Sequence, residues 1–108
     1  MKLLTPLAIT AIMFAGSASA FDADDLQKLK DTGNCVNCDL RNADLKRTDL
    51  SEANLALANL SGASLEGANL ESANLYGAIL NRADMGNANI KNINMDGVLF
   101  CDTIMPVS

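Results

Sequence analysis

From Cys38 to Asp102 the chain reads as consecutive blocks of five residues. Each block carries a large apolar residue at the same place: Leu40, Leu45, Leu50, Leu55, Leu60, Leu65, Leu70, Leu75 and Leu80, then Met85, Ile90, Met95 and Phe100. Two residues earlier sits a small one, mostly alanine: Ala43, Ala53, Ala58, Ala63, Ala68, Ala73, Ala78, Ala83 and Ala88. An α-helix turns about 100° per residue, so apolar side chains five apart would step round it by ~140° and leave no buried stripe. A flat strand alternates faces with period two, so residues five apart would point opposite ways. The pair of positions resolves the conflict. Ala and the Leu two residues on share one face of a short extended segment, and a bend before the next Ala returns the chain to the same orientation. The result is a coil with short flat sides and a corner in every block.

Spacing alone leaves the number of sides per turn open. Ala53-Asn54-Leu55, Ala58-Asn59-Leu60, Ala68-Asn69-Leu70 and Ala73-Asn74-Leu75, preceded by Ala43-Asp44-Leu45, resemble the A-(D/N)-L-X-X motif of the pentapeptide-repeat family. The resemblance spans residues 38–102, with departures at Cys38, Thr48, Ile93, Val98 and Phe100. It implies an all-β fold: a right-handed quadrilateral β-helix of about three coils, four blocks to a coil. Residues twenty apart then stack at the strand spacing of roughly 4.8 Å. Leu40, Leu60, Leu80 and Phe100 are expected in one internal column, and Leu45, Leu65, Met85 and Met105 in another. Asn54, Asn74 and Asn94 are expected to form an amide ladder. Outside, the same register sets Lys46 by Glu66, Glu71 by Lys91 and Arg82 by Asp102 as opposite-charge pairs.

The expected organisation is a signal peptide over 1–20, a capping helix and turn over 21–34, the repeat body over 35–105 and a tail over 106–108. Lys2, the apolar run Leu3–Ala15 and the small residues Ala18-Ser19-Ala20 form the three parts of an export signal. The run is too short and too interrupted to span a bilayer. Export to the periplasm or the medium, without stable membrane insertion after cleavage, is expected. Asp22–Lys30 reads as a short helix. Asp22, Asp24 and Asp25 favour its amino-terminal dipole, Lys28 and Lys30 its carboxy-terminal one, and Gly33 is a stop. Its expected task is to cover the first coil, since a bare edge invites association. Ile93, Val98 and Phe100 are expected to plug the last coil, with Met105 and Pro106 ending it.

The chain has 13 acidic and 8 basic residues and no histidine, for a net charge of −5. An acidic balance disfavours nucleic acid and anionic membrane as partners. Absence of histidine removes the commonest general base and metal ligand. The carboxylates Asp39, Asp44, Asp49 and Asp84 occupy the motif's own polar slot, where a short side chain bonds its local turn. No catalytic residue, metal ligand or cofactor site is expected, and the chain reads as a non-catalytic structural or protein-binding module.

Cys35-Val36-Asn37-Cys38 is the one motif with chemistry in it. It lacks the further ligands of a zinc site, the histidine of a haem attachment and the βαβ setting of a thioredoxin-like pair. In an oxidising compartment the expectation is a disulfide at the first coil. Cys101, about three coils away, is free or joins two chains. On the polar exterior, Leu57, Tyr76, Ile79 and Leu99, with Ala56 and Cys101, are apolar exceptions. The first four are the expected contact patch for another protein or a second copy. Two alternatives follow. Some family members are acidic rods that mimic DNA and bind DNA gyrase, which the net charge here matches. The CxxC alternatively serves a periplasmic thiol–disulfide protein.

Overall fold

The computed structural model describes residues 21–107; the expected signal peptide and Ser108 lie outside the described residues. A single α-helix, α1 (Ala23–Thr32), opens the described chain. Asp22 caps it, its carboxylate accepting from the backbone N–H of Asp24 and Asp25. Gly33 ends it at φ 71, a left-handed turn that costs glycine nothing, and returns its N–H to the Leu29 carbonyl. The helix starts one residue later and ends two later than the expected Asp22–Lys30.

Beyond α1 the chain winds in coils of twenty residues. Parallel bridges tie Asn34 to Asn54, Asp39 to Asn59, Asp44 to Ser64 and Asp49 to Asn69, and continue with the same offset to Asp84 and Ile104. The bridging positions fall five apart, so each coil has four sides. No continuous strand forms among the described residues; every bridge is isolated. The all-β expectation is corrected to that extent. A corner in each block leaves too few extended residues for a strand, so the sheet character lies between coils and not along the chain.

The ladder between coils is regular. From Cys35 to Met85 the N–H of each large inward residue donates to the carbonyl nineteen residues on, as Leu40 to Asn59 at 2.9 Å and Leu60 to Ile79 at 2.8 Å. From Asn54 to Ile104 the N–H of each bridging residue donates back, as Asn59 to Cys38 at 2.9 Å. Each corner up to Val98 closes a hydrogen-bonded β-turn, such as Ala63 N–H to the Leu60 carbonyl at 3.0 Å. The third residue of every such turn from Asn37 to Asp102 has positive φ, between 54° and 73°. That is the demand of a type II turn. It accounts for the glycines and asparagines at these places, and it holds Arg47, Glu52, Leu57, Ser72 and Arg82 in a conformation most side chains avoid.

The inward positions make the core. Leu40, Leu45, Leu55, Leu60, Leu65, Leu70, Leu75, Leu80 and Met85 are fully buried, and the alanines between them nearly so. Each such leucine contributes about 1.5–3 kcal/mol over an exposed one. Leu29 of α1 joins this core, with Phe21 and Leu26 packed against it. The other end differs. Ile93, Val98 and Met105 are only partly buried, and Phe100, expected at the foot of an inward column, is 48% exposed. Among the described residues, then, the expected plug does not close.

Candidate functional site

Cys35 takes a large inward slot and Cys38 a small one, so both point into the core instead of solvent. Their Cα atoms are 5.3 Å apart, the sulfurs are within bonding distance, and the residues are 0% and 3% exposed. The Cys35 sulfur lies 3.1 Å from the Asp25 carbonyl oxygen of α1. A sulfur joined to its neighbour would have no proton to give, and the contact would then be close packing, not a hydrogen bond. A sulfur in this position is covered by the helix above it. An exchange reaction needs a sulfur that the attacking thiolate can reach in line, and in this arrangement both sulfurs lie buried.

Asp39 holds the helix to the coil. Its N–H donates to the Asp25 carboxylate at 2.8 Å, and its carbonyl accepts from the Asp22 N–H at 3.0 Å. Its own carboxylate receives two guanidinium bonds from Arg41, each 2.8 Å. Those bonds keep the Asp39 carboxyl below the usual carboxylate range, against the partial burial that raises it, and push the Arg41 guanidinium further up. The Arg41 backbone N–H is also bonded to it.

The apolar exterior gathers along one corner. Leu57 and Tyr76 are 48% and 53% exposed and meet through the Leu57 N–H and the Tyr76 carbonyl at 2.7 Å. Leu57 lies across Gly77, where an added Cβ would come 2.7 Å from its terminal methyl. On the adjoining side Ile79 bridges Leu99. Leu99 is exposed, and Ile79 is half-buried between the neighbouring coils above and below it. Ala56 is half-buried too. Val36, one coil before Ala56, extends this ridge and was not among the expected residues. Phe100 and Ile104, both exposed, form a second apolar area at the carboxy-terminal end. The twenty-residue offset from Tyr76 was the available signal for Val36; nothing local marks Phe100 as different from the leucines it follows.

The sequence profile of the pentapeptide repeats matches this chain over residues 34–71 and 58–97, with eight copies of the repeat. The chain belongs to the pentapeptide-repeat family. Two crystal structures resemble it. One is alr5209, a pentapeptide repeat protein from Nostoc PCC 7120, at 23% identity over 86% of this chain and 91% of that one, with a TM-score of 0.28. The other is the pentapeptide repeat protein Rfr23 from the cyanobacterium Cyanothece 51142, at 20% identity over 76% and 97%, with a TM-score of 0.25. At these scores they add no argument to the profile match. No curated protein matches the chain.

Within this pentapeptide-repeat body the polar slot serves the turns. The side-chain oxygens of Asp39, Asp44, Asp49, Asn54, Asn59, Asn69, Asn74, Asp84, Asn89 and Asn94 each accept from the backbone N–H two residues on. Asp49 also takes the Ser51 hydroxyl, which lowers its carboxyl from the usual value. Asn74 donates to Asn54 and Asn94 to Asn74, completing the expected amide ladder, and Asn89 donates to Asn69 in a second one. The expected ion pairs Lys46–Glu66, Glu71–Lys91 and Arg82–Asp102 do not close. The ion pair among the described residues is Arg41–Asp39. The corner side chains point away from the axis into water, where holding two long chains together gains little. Among the described residues no three of His, Cys, Asp and Glu gather as a metal site. Nor is any described helix long and apolar enough to cross a membrane.

Proposed function

We propose that the protein is an exported, non-catalytic pentapeptide-repeat module, a right-handed four-sided coil of about three turns, that binds another protein in the periplasm or outside the cell. The observation that carries this reading is the apolar corner. A repeat whose core is satisfied internally has no structural need for Leu57 and Tyr76 at outward turn positions, and Leu57 holds a positive φ there. The polar groups are committed to turns and ladders, which supports a recognition surface over a reaction centre. The three-part segment Met1–Ala20 supports export, and the sulfur geometry supports a structural disulfide between Cys35 and Cys38. Closing so short a loop stabilises by about 2 kcal/mol.

The test is crosslinking of the exported protein in its native envelope, followed by Leu57→Asp and Tyr76→Asp variants. One crosslinked species, present with the wild type and lost with both variants while export is unchanged, supports the reading. An identical crosslinking pattern for all three overturns it.

A further inference from the structure

The bonds that build α1, the bonds that dock it and the bonds that hold the cysteine pair beneath it belong to different groups. Within the helix, the Asp22 carboxylate caps the first turn, Gln27 donates to Asp31 at 2.8 Å, and Gly33 returns its N–H to Leu29. Docking uses the Asp22 N–H and the Asp25 carboxylate, which both bond the backbone of Asp39, the residue after Cys38. Leu29 enters the core, with Phe21 and Leu26 packed against it. The pair itself is held by the next coil. Cys35 donates its N–H to the Asn54 carbonyl at 2.7 Å, and the Cys38 carbonyl accepts from Asn59 at 2.9 Å. Between helix and coil stands Gly33, its carbonyl bonded to the Asn54 N–H at 2.8 Å, with open space where a side chain would lie. A helix and a coil bonded separately, and meeting at such a glycine, part without either unfolding.

We propose that α1 is a hinged cover over a redox-active cysteine pair, pivoting at Gly33 to admit a dithiol reductant while the coils stay wound. This rests on the reading that the two sulfurs are joined at rest. With the cover closed both cysteines are buried, and a thiolate must reach a sulfur in line to attack it, so access waits on the helix. With the cover lifted, one thiolate of the reductant attacks a sulfur of the pair and breaks the S–S bond, leaving a mixed disulfide. Its second thiolate then displaces the protein sulfur. Two electrons and two protons pass to Cys35 and Cys38, and the reductant leaves as a cyclic disulfide. The new thiols fit where they stand, because Cys35 holds a large inward slot and Cys38 a small one, the slots that leucine and alanine fill elsewhere. The Cys35 sulfur lies 3.1 Å from the Asp25 carbonyl oxygen. A thiol there donates to it, a bond that a joined sulfur lacks, so the helix recloses over the reduced pair.

The test uses the purified protein carrying Cys101→Ser, so that the pair alone reacts. Excess dithiothreitol is added, samples are quenched with iodoacetamide, and the mass reports how many cysteines are alkylated. Reduction is expected to be at least about tenfold faster with Asp25→Ala or Leu29→Ala than in the parent. Asp24→Ala, on the same turn, leaves the rate unchanged. Leu75→Ala, two coils below Cys35 in the same column, removes an equal core side chain yet speeds reduction far less than Leu29→Ala. Equal acceleration by Leu29→Ala and Leu75→Ala would mean that the pair is reached only by unwinding the whole chain, and overturns the proposal. So does a rate for Asp25→Ala equal to that of the parent. Alkylation of both cysteines before any reductant is added overturns the disulfide reading instead. The same variants then test the cover through the rate of alkylation, with the same order expected and the same equalities overturning it.

Discussion

The two ends of the coil answer one problem in opposite ways. At the amino-terminal end α1 lies over the first coil, Leu29 enters the core, and Leu40, Leu45 and Leu50 are sealed to 3% exposure or less. Asp39 presents its N–H and its carbonyl, and Asp25 and Asp22 take them. At the carboxy-terminal end the same inward slots hold Ile90, Met95 and Phe100, no helix covers them among the described residues, and burial falls away. The coil itself is indifferent to this, because the same left-handed residue recurs at every corner from Asn37 to Asp102. A repeat therefore specifies its interior, and only the flanking residues specify where it ends.

The sharpest way to break this contrast is to remove inward side chains of equal rank. Leu40→Ala, beneath the helix, is expected to cost about 2–5 kcal/mol, since its neighbours are fixed and a cavity remains. Phe100→Ala, already half in water, is expected to cost well under half of that. Urea unfolding midpoints of the two variants test it, and equal losses would mean that the carboxy-terminal end is as closed as the other. A smaller effect belongs to the strap. Asp25→Ala leaves the Asp39 N–H without its charged acceptor and is expected to cost about 1–3 kcal/mol. Hydrogen exchange should quicken in α1 and at Asp39 while amides near Leu70 keep their protection.

The smallest effect is in pH. The Arg41 bonds hold the Asp39 carboxyl below its unfolded value, so its contribution is fully present above the unfolded range, near pH 4. It is lost as the pH falls through the lower, folded value. Because the pair is solvent-exposed the change is modest. Arg41→Gln should flatten the acid limb of stability slightly, and an unchanged limb would mean that the Asp39–Arg41 pair adds nothing to stability.

How much of this was legible follows from where each interaction is decided. The inward columns were, because a period of five with Ala and Leu at fixed places admits few solutions. The polar slot was too: Asp and Asn bond the turn two residues on, which depends on local geometry alone. The register of the amide ladder Asn54–Asn74–Asn94 came with the family resemblance. The left-handed third turn residue was readable in the Gly and Asn at 62, 67, 77, 87, 92 and 97, although Leu57 and Arg47 at the same place conceal it. What the sequence could not resolve depends on what lies beside a residue in the next coil. Phe100 occupies an inward slot yet is exposed, because no described residue packs over it. Ile79 occupies an outward slot yet is half-covered by its neighbours. Glu71 and Lys91 share a column yet stay apart, because side chains that long prefer water to each other.

The corner spacing also constrains how such a chain can change length. Loss or gain of one block keeps every inward residue inward, so the interior scarcely registers it. Everything downstream, however, is carried a quarter of a circuit round the axis. A one-block deletion between Leu57 and Tyr76 would move Tyr76 and Leu99 to the neighbouring side and break up the apolar corner in an otherwise sound rod. Only whole circuits of twenty residues preserve both the interior and the compass bearing of the surface.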